Sequence, residues 1–548
     1  MATEDQLTRG KVISLTALVL VAFLCLFVLL RTRNIFEVDG ASRCLEVFRR
    51  QTLFFHGNNH MLYPVNVLVW NRLVGAFGFR PNGAEEFYSI TQWMNCLAGA
   101  GCVAIIFYLM YLVTSSVRLA FGVVLAYGLS KAFLLHVTNS AEPLAGVFWS
   151  LLAICFAALS LKRKSNWPII VSALLFSLAM ATYQSTIFLA PAALILIWQS
   201  RSNLEDRRLL SPARIAAIFE FTLAGIAGCA AIFGWAYWRQ GLRHPGEIVG
   251  QFFTHDDARV YLGVSVGKIL TVPVGMVRNI FPLVPRFVGL RELLSGPKLS
   301  LILLLLVIGI LCAFLVVCAR RLTVKWKDLS TEVRVGVMAA TVGFAFTIIP
   351  VIIWDPSYDK LWLQPLACLA FFIGMALKPI SMDVRYGFLI SRAFSVLFLA
   401  GVSLNLVWAV RDHETKLPDL EETQRLARLI EKQDLVVGGW DSISTLYGYG
   451  WADDGQLISF PTEAVLHGYG SVANLRDAVS EAERRGGRVY FLSLLDVPQA
   501  SWDSFLGSRC GVPYSVMGSY RAHSRIRATF YEQSSQVFLR QLELTDSN

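Results

Sequence analysis

Long apolar stretches separated by short polar segments run through roughly the first 410 residues of this chain. A helix needs about 20 mainly apolar residues to cross the hydrocarbon core of a bilayer, and most of the stretches approach or exceed that length. The pattern therefore predicts a polytopic α-helical membrane protein with about 11 transmembrane helices. The predicted helices cover residues 11–30, 87–112, 117–135, 142–161, 167–181, 183–199, 214–237, 299–318, 335–353, 361–377 and 386–410.

The chain changes character after residue 411. From there to residue 548 the apolar content falls, and hydrophobic and polar positions alternate as they do in the strands of soluble domains. The segment 412–548 is therefore predicted to form a soluble C-terminal α/β domain with a small parallel sheet. Its predicted elements are a helix at 473–485 and strands at 434–439, 457–460 and 487–495.

Nearly all positive charges of the short loops fall on one side of this arrangement, and the opposite short turns carry only Lys131 and Lys360. Lysine and arginine in short loops mark the cytoplasmic side, so the N-terminus is predicted to be cytoplasmic and the C-terminal domain extracytoplasmic. A bacterial inner membrane is the expected location. The same orientation places the loops 31–86 and 238–298 outside. The basic groups on the cytoplasmic side are Lys162, Arg163, Lys164, Arg201, Arg207, Arg208, Arg214, Arg320, Arg321, Lys325, Lys327, Lys378 and Arg385.

Both long external loops have features of segments that lie at the membrane interface. In the first loop, residues 43–55 and 64–79 have apolar side chains at helical spacing, as in helices that lie along a membrane surface. The second loop is rich in basic residues. Its stretch 264–290 is apolar, but three prolines between 273 and 285 argue against one continuous span.

Composition supports a membrane protein and excludes several other classes. Hydrophobic residues make up 55% of the 548 residues and charged residues only 16%, which is outside the range of soluble domains. The net charge of +10 is spread over membrane-flanking loops, so anionic lipid or a lipid phosphate is the expected partner, and nucleic acid is not. Most of the ten cysteines lie in or beside apolar spans, so no disulfide framework is predicted. The sequence lacks P-loop, nucleophile-elbow and zinc-protease motifs.

Two carboxylates directly follow the first predicted helix. Glu37 and Asp39 are separated by one residue, and side chains two apart in an extended segment point the same way, so both could serve one site. Low dielectric at a membrane edge raises the pKa of a carboxylate and suits it to act as a general base toward a hydroxyl group. The alternative is that the two acids are an ordinary solvent-exposed cap after the first helix and have no catalytic role. We expect Asp39 to be catalytic and Glu37 to be its supporting acid.

A second polar group in the same loop contains His56, His60 and Tyr63. Two histidines four residues apart could hold a divalent metal in a helix, but Gly57 disfavours a helix and no third ligand is near. No metal and no other cofactor is therefore predicted. Hydrogen bonding to a polar substrate and ordinary loop polarity are the two remaining interpretations.

Polar residues also mark the next external turns. Glu142 precedes a proline at the start of a predicted helix, where an acid needs no function to explain it. Tyr183 and Gln184 occupy a tight turn between two apolar stretches, and polar side chains at such turns can face a cavity. We expect all three to contact substrate.

A last group of candidates could bind phosphate. Tyr358 suits an interfacial aromatic belt, which is the alternative to a functional role. Lys360, together with Arg278 or Arg286 of the basic loop, could instead hold a lipid-linked phosphate and neutralise the charge of the leaving group.

The residues Glu37-Val38-Asp39-Gly40 behind the first helix, the interface helices of that loop and the outward tail resemble the GT-C superfamily of membrane glycosyltransferases. The resemblance is to the protein mannosyltransferase and aminoarabinose transferase branch (family 39) and covers residues 11–410. It implies a GT-C-like catalytic domain at 1–411 and a polyprenyl-phosphate sugar donor. It also implies that Asp39 is the base, with Glu37 as the fallback, while Lys360 and the arginines of the 238–298 loop hold the lipid phosphate.

The expected function is an inverting glycosyl transfer from a polyprenyl-phosphate donor to an acceptor glycan, lipid or protein on the extracytoplasmic face. Two other classes remain as alternatives, a polytopic lipid or solute transporter and a membrane scaffold whose outward domain binds partners. Transporters commonly contain broken helices in repeated halves, and this sequence shows no internal symmetry. A scaffold would need far fewer spans.

Overall fold

The structure is a computed structural model. It describes residues 8–31, 38–50, 60–162, 165–201, 211–239, 244, 263–283, 298–381, 399–411, 425–439, 443, 446, 456–507, 510–532 and 535–543.

Helices make up the described part of the first 411 residues. The first eight are α1 (Arg9–Leu29), α2 (Val38–Arg50), α3 (Tyr63–Ala76), α4 (Ala84–Thr114), α5 (Val117–Gly128), α6 (Lys131–Val137), α7 (Glu142–Ser160) and α8 (Trp167–Thr182). The next seven are α9 (Ala190–Ser200), α10 (Pro212–Arg239), α11 (Val266–Ile280), α12 (Lys298–Val324), α13 (Thr331–Ile353), α14 (Leu363–Ser381) and α15 (Leu399–Arg411). Short 3₁₀ turns at Gln184–Leu189 and Asp359–Trp362 precede α9 and α14.

The predicted membrane architecture is confirmed. Among the described residues, seven helices are long and apolar enough to cross a bilayer, namely α1, α4, α7, α10, α12, α13 and α14 with its preceding turn. The bent pair α5 and α6 could form an eighth span, and α8, α9 with the turn before it, and α15 are shorter apolar helices. These eleven units correspond one by one to the eleven predicted stretches. The last stretch is described only from residue 399 onward.

The stretch predicted as one helix at 117–135 is broken in the structure. Helices α5 and α6 meet at an angle of 70°, and Ser130 Oγ donates a hydrogen bond of 2.7 Å to the Tyr127 carbonyl at the break. This bond satisfies a carbonyl that the interrupted helix leaves without its usual partner. The prediction of a single continuous helix was wrong, and Lys131 directly after the break has its ammonium 3.8 Å from Asp359, a distant partner that the local pattern does not reveal.

The segment around and after the break is buried throughout. Every residue from 127 to 147 is buried, including the charged or polar Lys131, His136, Asn139 and Glu142. Ionisable groups inside a membrane protein are costly and commonly mark functional sites. This segment, which contains α6 and the start of α7, is therefore a candidate for the functional site.

The predicted interface segments are helical as expected. Helices α2 and α3 form in the first loop. Helix α11 forms in the second loop with Pro273 inside it, but it is shorter than the stretch 264–290, as expected from the three prolines. The helix does end at Ile280, just before Pro282, where a proline is compatible with termination.

The C-terminal domain contains a five-stranded sheet of order β2-β1-β3-β5-β4. The strands β1 (Leu435–Gly438), β2 (Leu457–Ser459) and β3 (Val489–Leu492) are parallel, as predicted. A hairpin of β4 (Ser524–Glu532) and β5 (Ser535–Leu542) then adds two antiparallel strands through β3, so the sheet is mixed. The helices of this domain are α16 (Phe460–His467), α17 (Ser471–Arg484), α18 (Gln499–Trp502) and α19 (Tyr514–Ala522).

Apolar residues cover both faces of this sheet. Leu435, Val437 and Phe491 pack with the side chains of α16, α17 and α19 on one face. Val436 and Tyr490 pack with residues from 426 to 446 on the other. Alternate residues of a strand point to opposite faces, so near-continuous apolar strands such as Leu435–Gly438 are those expected when both faces are buried.

Candidate functional site

Glu142, the first residue of α7, is completely buried among charged partners. One of its carboxylate oxygens pairs with the guanidinium of Arg43 on α2. The other lies 3.0 Å from His60 Nε2, which makes an ion pair when the imidazole is protonated. A carboxylate without water around it is stable only when paired in this way. Glu142 thus joins the start of α7 to both helical elements of the first loop.

Aromatic side chains surround this ion pair. The His60 ring stacks on Tyr183 with ring centroids 5.3 Å apart and planes at 15°. The Tyr63 hydroxyl lies 2.9 Å from Ser140 Oγ, within hydrogen-bond distance. These residues form what we call the Glu142 cluster, which consists of Arg43, His60, Tyr63, Ser140, Glu142 and Tyr183.

The first turn of α2 packs directly against this cluster. A Cβ atom on Gly40 would collide with the Ser140 carbonyl oxygen, so the α2 backbone approaches Ser140 as closely as only glycine allows. Position 39 is the neighbouring residue of that turn. The side chain of Asp39 and all of Glu37 lie outside the described residues, as do His56 and Arg286.

Asn95 of α4 fixes the turn that presents Ser140 and Glu142. Its amide nitrogen donates to the carbonyls of Asn139 and Ala141, at 2.7 and 2.8 Å. Both carbonyls lie between α6 and α7 and have no helical partner. One buried amide therefore holds the connection from both sides of Ser140.

Cationic side chains form a second cluster at the other end of the buried segment. Arg278 of α11 donates a hydrogen bond of 2.7 Å to Asp359 and another to the Ser357 carbonyl. Lys131, the first residue of α6, has its ammonium 3.8 Å from the same Asp359 oxygen. The Lys360 ammonium lies over the Tyr358 ring at 4.8 Å. We call Lys131, Arg278, Ser357, Tyr358, Asp359 and Lys360 the Asp359 cluster.

The Asp359 cluster is buried and carries a net positive charge. Its described side chains include three cations and one carboxylate, and it stays positive when Asp355 of the same turn is counted as well. Arg278, Lys131 and Lys360 are each at most 9% exposed. Three cationic groups gathered around one carboxylate offer charged hydrogen-bond donors, which suits an anionic ligand.

The two clusters are the ends of one short stretch of chain. Lys131 begins α6 and Glu142 begins α7, and the seven residues of α6 span about 10 Å. His136 lies between them and is within electrostatic range of Asp359 and Lys360.

An apolar cavity of about 450 Å³ is lined by chain neighbours of Lys131 and Arg278, although no residue of the Asp359 cluster itself is part of its wall. Its wall includes Leu129 and Ser130, which immediately precede Lys131, and Ile280, two residues after Arg278. The remaining lining comes mainly from apolar residues of α5, α12, α14 and α15. The cavity fits a hydrocarbon chain, while the adjacent cations fit a charged head.

The structure thus brings most of the predicted site residues into two groups. His60, Tyr63, Glu142 and Tyr183 meet in the Glu142 cluster, and Gln184 begins the adjoining 3₁₀ turn, where it is half-buried. The predicted phosphate ligands Arg278 and Lys360 meet with Tyr358 in the Asp359 cluster.

Three charged residues of these clusters, and the serines Ser140 and Ser357, were not predicted as site residues. Arg43 and Asp359 have no local sequence signal, because each is explained by a partner about 80 to 100 positions away. Lys131 does carry a signal, since a lysine within a stretch that is otherwise apolar requires a buried partner.

No metal centre and no reactive thiol is evident in the site. The described residues contain no group of three or more His, Cys, Asp or Glu side chains that could hold a metal ion. Cys44 of α2 is buried beside Thr91, with its sulfur 3.2 Å from the hydroxyl. Burial raises the pKa of this thiol to about 12, so it stays neutral and is a poor nucleophile near neutral pH.

No family model and no curated protein matches this sequence. Two crystal structures of ArnT from Cupriavidus metallidurans do match its fold. The one bound to undecaprenyl phosphate covers 97% of this chain and 98% of its own, with a TM-score of 0.54 and 11% identity. The apo structure covers 96% and 98%, with a TM-score of 0.56 and 11% identity.

The chain shares its fold with these ArnT structures. Both ArnT matches extend over nearly the whole chain, so the likeness includes the membrane helices and the C-terminal region. Together with the apolar spans, it establishes an integral membrane protein of the predicted fold class. At 11% identity the similarity shows the fold alone.

Proposed function

We propose that this protein is a glycosyltransferase that moves a sugar from a polyprenyl-phosphate donor to an acceptor on the extracytoplasmic face of the membrane. The observation that carries the proposal is the buried, net positive Asp359 cluster beside an apolar cavity. A ligand with an anionic head and a long hydrocarbon tail satisfies both features at once. The ArnT structure bound to undecaprenyl phosphate supports this class of donor.

The donor phosphate would be held by Arg278, Lys131 and Lys360, with the polyprenyl chain in the cavity. Fixed cations in a site that excludes water stabilise the charge that develops on a departing phosphate. Arg278 is oriented for this task by its bonds to Asp359 and Ser357. The sugar would then extend along α6 toward the Glu142 cluster.

In the proposed reaction Asp39 is the general base. The acceptor hydroxyl oxygen forms a bond to the anomeric carbon, its proton passes to Asp39, and the carbon–oxygen bond to the lipid phosphate breaks with its electron pair leaving on the phosphate. The close approach of Gly40 to Ser140 supports this role, because it places the first turn of α2 beside the Glu142 cluster. Glu37 remains the supporting acid. The acceptor would be a glycan, a lipid or a protein.

Replacement of the proposed base tests this assignment. We expect Asp39→Asn to lower turnover by about 100-fold or more, since general bases contribute roughly 10²- to 10⁴-fold. Turnover would be measured on purified protein with the lipid-linked donor and acceptor that copurify with it, identified by mass spectrometry.

Asp328→Asn is the matched control for this substitution. Asp328 is exposed and pairs only at the surface with Lys325 at 3.5 Å, so its replacement should leave turnover unchanged. Full activity of Asp39→Asn in the same assay would disprove the assignment.

A transporter is the second candidate, because the broken α5–α6 unit contains buried charges of the kind found at transport sites. The likeness to ArnT along the whole chain favours the transferase. Reconstituted vesicles discriminate between the two. A transporter moves labelled polyprenyl phosphate across the bilayer without consuming a sugar donor, whereas the transferase releases polyprenyl phosphate only when an acceptor is glycosylated.

A further inference from the structure

The side chain of Asn405 contacts two helix ends. Each of these ends lies two residues from a cation of the Asp359 cluster. Asn405 is buried in α15, and its amide nitrogen donates to the Leu129 carbonyl at 2.6 Å and to the Ile280 carbonyl at 2.8 Å. Both acceptors are carbonyls, which cannot donate, so the nitrogen of this amide is the atom that faces them. Asn405 therefore spans the end of α5 and the end of α11.

These two carbonyls need a hydrogen-bond donor from outside their own helices. Leu129 caps the C-terminus of α5, and Ile280 is the last residue of α11. The last carbonyls of a helix have no intrahelical partner. Inside a membrane protein such groups are costly unless another protein group bonds them. The two N–H groups of one asparagine supply both bonds.

The bonded residues lie next to the proposed phosphate ligands. Leu129 is two residues before Lys131, and Ile280 is two residues after Arg278. Helix α15 also contacts Lys131 directly, because the Lys131 ammonium lies 5.8 Å from the ring centre of Trp408, one turn beyond Asn405. The distance between the two cations is thus fixed through α15.

We infer that Asn405 is a positioning residue for the donor phosphate: by bonding the Leu129 and Ile280 carbonyls, it holds Lys131 and Arg278 at the spacing that one phosphate group requires. The inference rests on the proposed function and adds a determinant outside the two clusters. Residues 412–548 follow α15 in the chain, so the same contact connects the helix before the C-terminal domain to the phosphate site.

The experiment compares two lipids on purified, detergent-solubilised full-length protein. Undecaprenyl phosphate has the charged head, whereas undecaprenol has the same chain without the phosphate. Asn405→Leu keeps the size of the side chain and removes both donors. We expect this variant to weaken binding of undecaprenyl phosphate about tenfold, because the two hydrogen bonds that hold Lys131 and Arg278 in place are lost. Binding of undecaprenol should not weaken.

Ser172→Ala is the control for loss of a buried bond between helices. Ser172 Oγ donates 2.8 Å to the Ala153 carbonyl, away from both clusters, so this variant should bind both lipids within twofold of wild type. If Asn405→Leu does not fold, Asn405→Ser, which keeps one donor, should show a smaller loss of the same selectivity for the phosphate.

The outcomes separate the inference from the proposed function. Wild-type protein that fails to bind undecaprenyl phosphate would overturn the proposed donor. If wild type binds it and the Asn405 variants bind it equally well, only the positioning role is overturned. If Asn405→Leu weakened the binding of both lipids equally, the positioning role would also be overturned. Such a result would show a general defect of the cavity and no specific effect on binding of the phosphate group.

Discussion

At the scale of single residues, the buried charges explain most of the site. Glu142 has no solvent contact, and its partners Arg43 and His60 come from a loop that is distant in sequence. Each of these groups would be unfavourable alone in a low dielectric, and together they form a network that fixes three elements. Loss of one member leaves the others buried without their counter-charge.

Glu142→Gln tests this network with an isosteric change. Because Arg43 keeps its charge and loses its partner, we expect the free energy of unfolding to fall by about 3 kcal/mol, as for other broken buried pairs, and turnover to fall with it. Thermal unfolding of the purified protein measures the first effect. Glu332→Gln, on the exposed first turn of α13, should change neither. An unaltered unfolding temperature for Glu142→Gln would show that the network does not stabilise the site.

At the scale of elements, the position of α11 determines where Arg278 lies. Gly275 faces the turn before Tyr358, and a Cβ atom on it would collide with the Pro356 carbonyl oxygen. Trp362 Nε1 donates 2.8 Å to the same carbonyl, which fixes the turn from its other side. Neither backbone can move freely, so the contact sets the separation between α11 and Asp359.

Two alanine substitutions in α11 provide a matched test of this contact. Gly275→Ala should push α11 away from the turn and displace Arg278, and we expect about 100-fold lower turnover, as small misplacements in active sites can produce. At Gly267 the nearest atom to an added Cβ is Ser265 Oγ at 3.8 Å. Gly267→Ala should therefore be neutral or stabilising by up to about 1 kcal/mol. Equal activity of the two variants would contradict the role of the close contact.

At the scale of the whole molecule, orientation decides on which side the reaction occurs. The loop charges predict that α2, α11 and the C-terminal domain lie outside the cytoplasm. The Asp359 cluster and the Glu142 cluster would then both open to the extracytoplasmic side. The fold alone does not depend on this orientation.

Reporter fusions after Asn548 test the orientation in cells. We expect an alkaline phosphatase fusion to be active and a green fluorescent protein fusion to be dark, since each reporter functions on one side of the membrane only. The same reporters fused after Lys325, in a basic loop that is predicted to be cytoplasmic, should give the reverse pattern. A fluorescent C-terminal fusion would refute the extracytoplasmic assignment for the whole set of external loops.

The sequence predicted the helices and the parallel strands because their signals are local. Apolar runs of sufficient length identify membrane helices wherever they occur, and the apolar strand Leu435–Gly438 shows that both faces of its sheet are covered. The C-terminal hairpin of β4 and β5 was missed. Its strands carry arginines and other polar residues that alternate less clearly, and only pairing with β3 makes them part of the sheet.

The sequence by itself therefore determined the membrane class, the spans, the existence of a separate α/β domain and most candidate polar residues. Only the tertiary structure decided that these residues form two clusters at the ends of one buried segment, and that α5 and α6 are broken at the residue before Lys131. The physical reason is that a buried charge or an unpaired helix carbonyl must find a partner anywhere in the fold. For Lys131, Glu142 and Asn405, those partners are about 80 to 280 residues away along the chain.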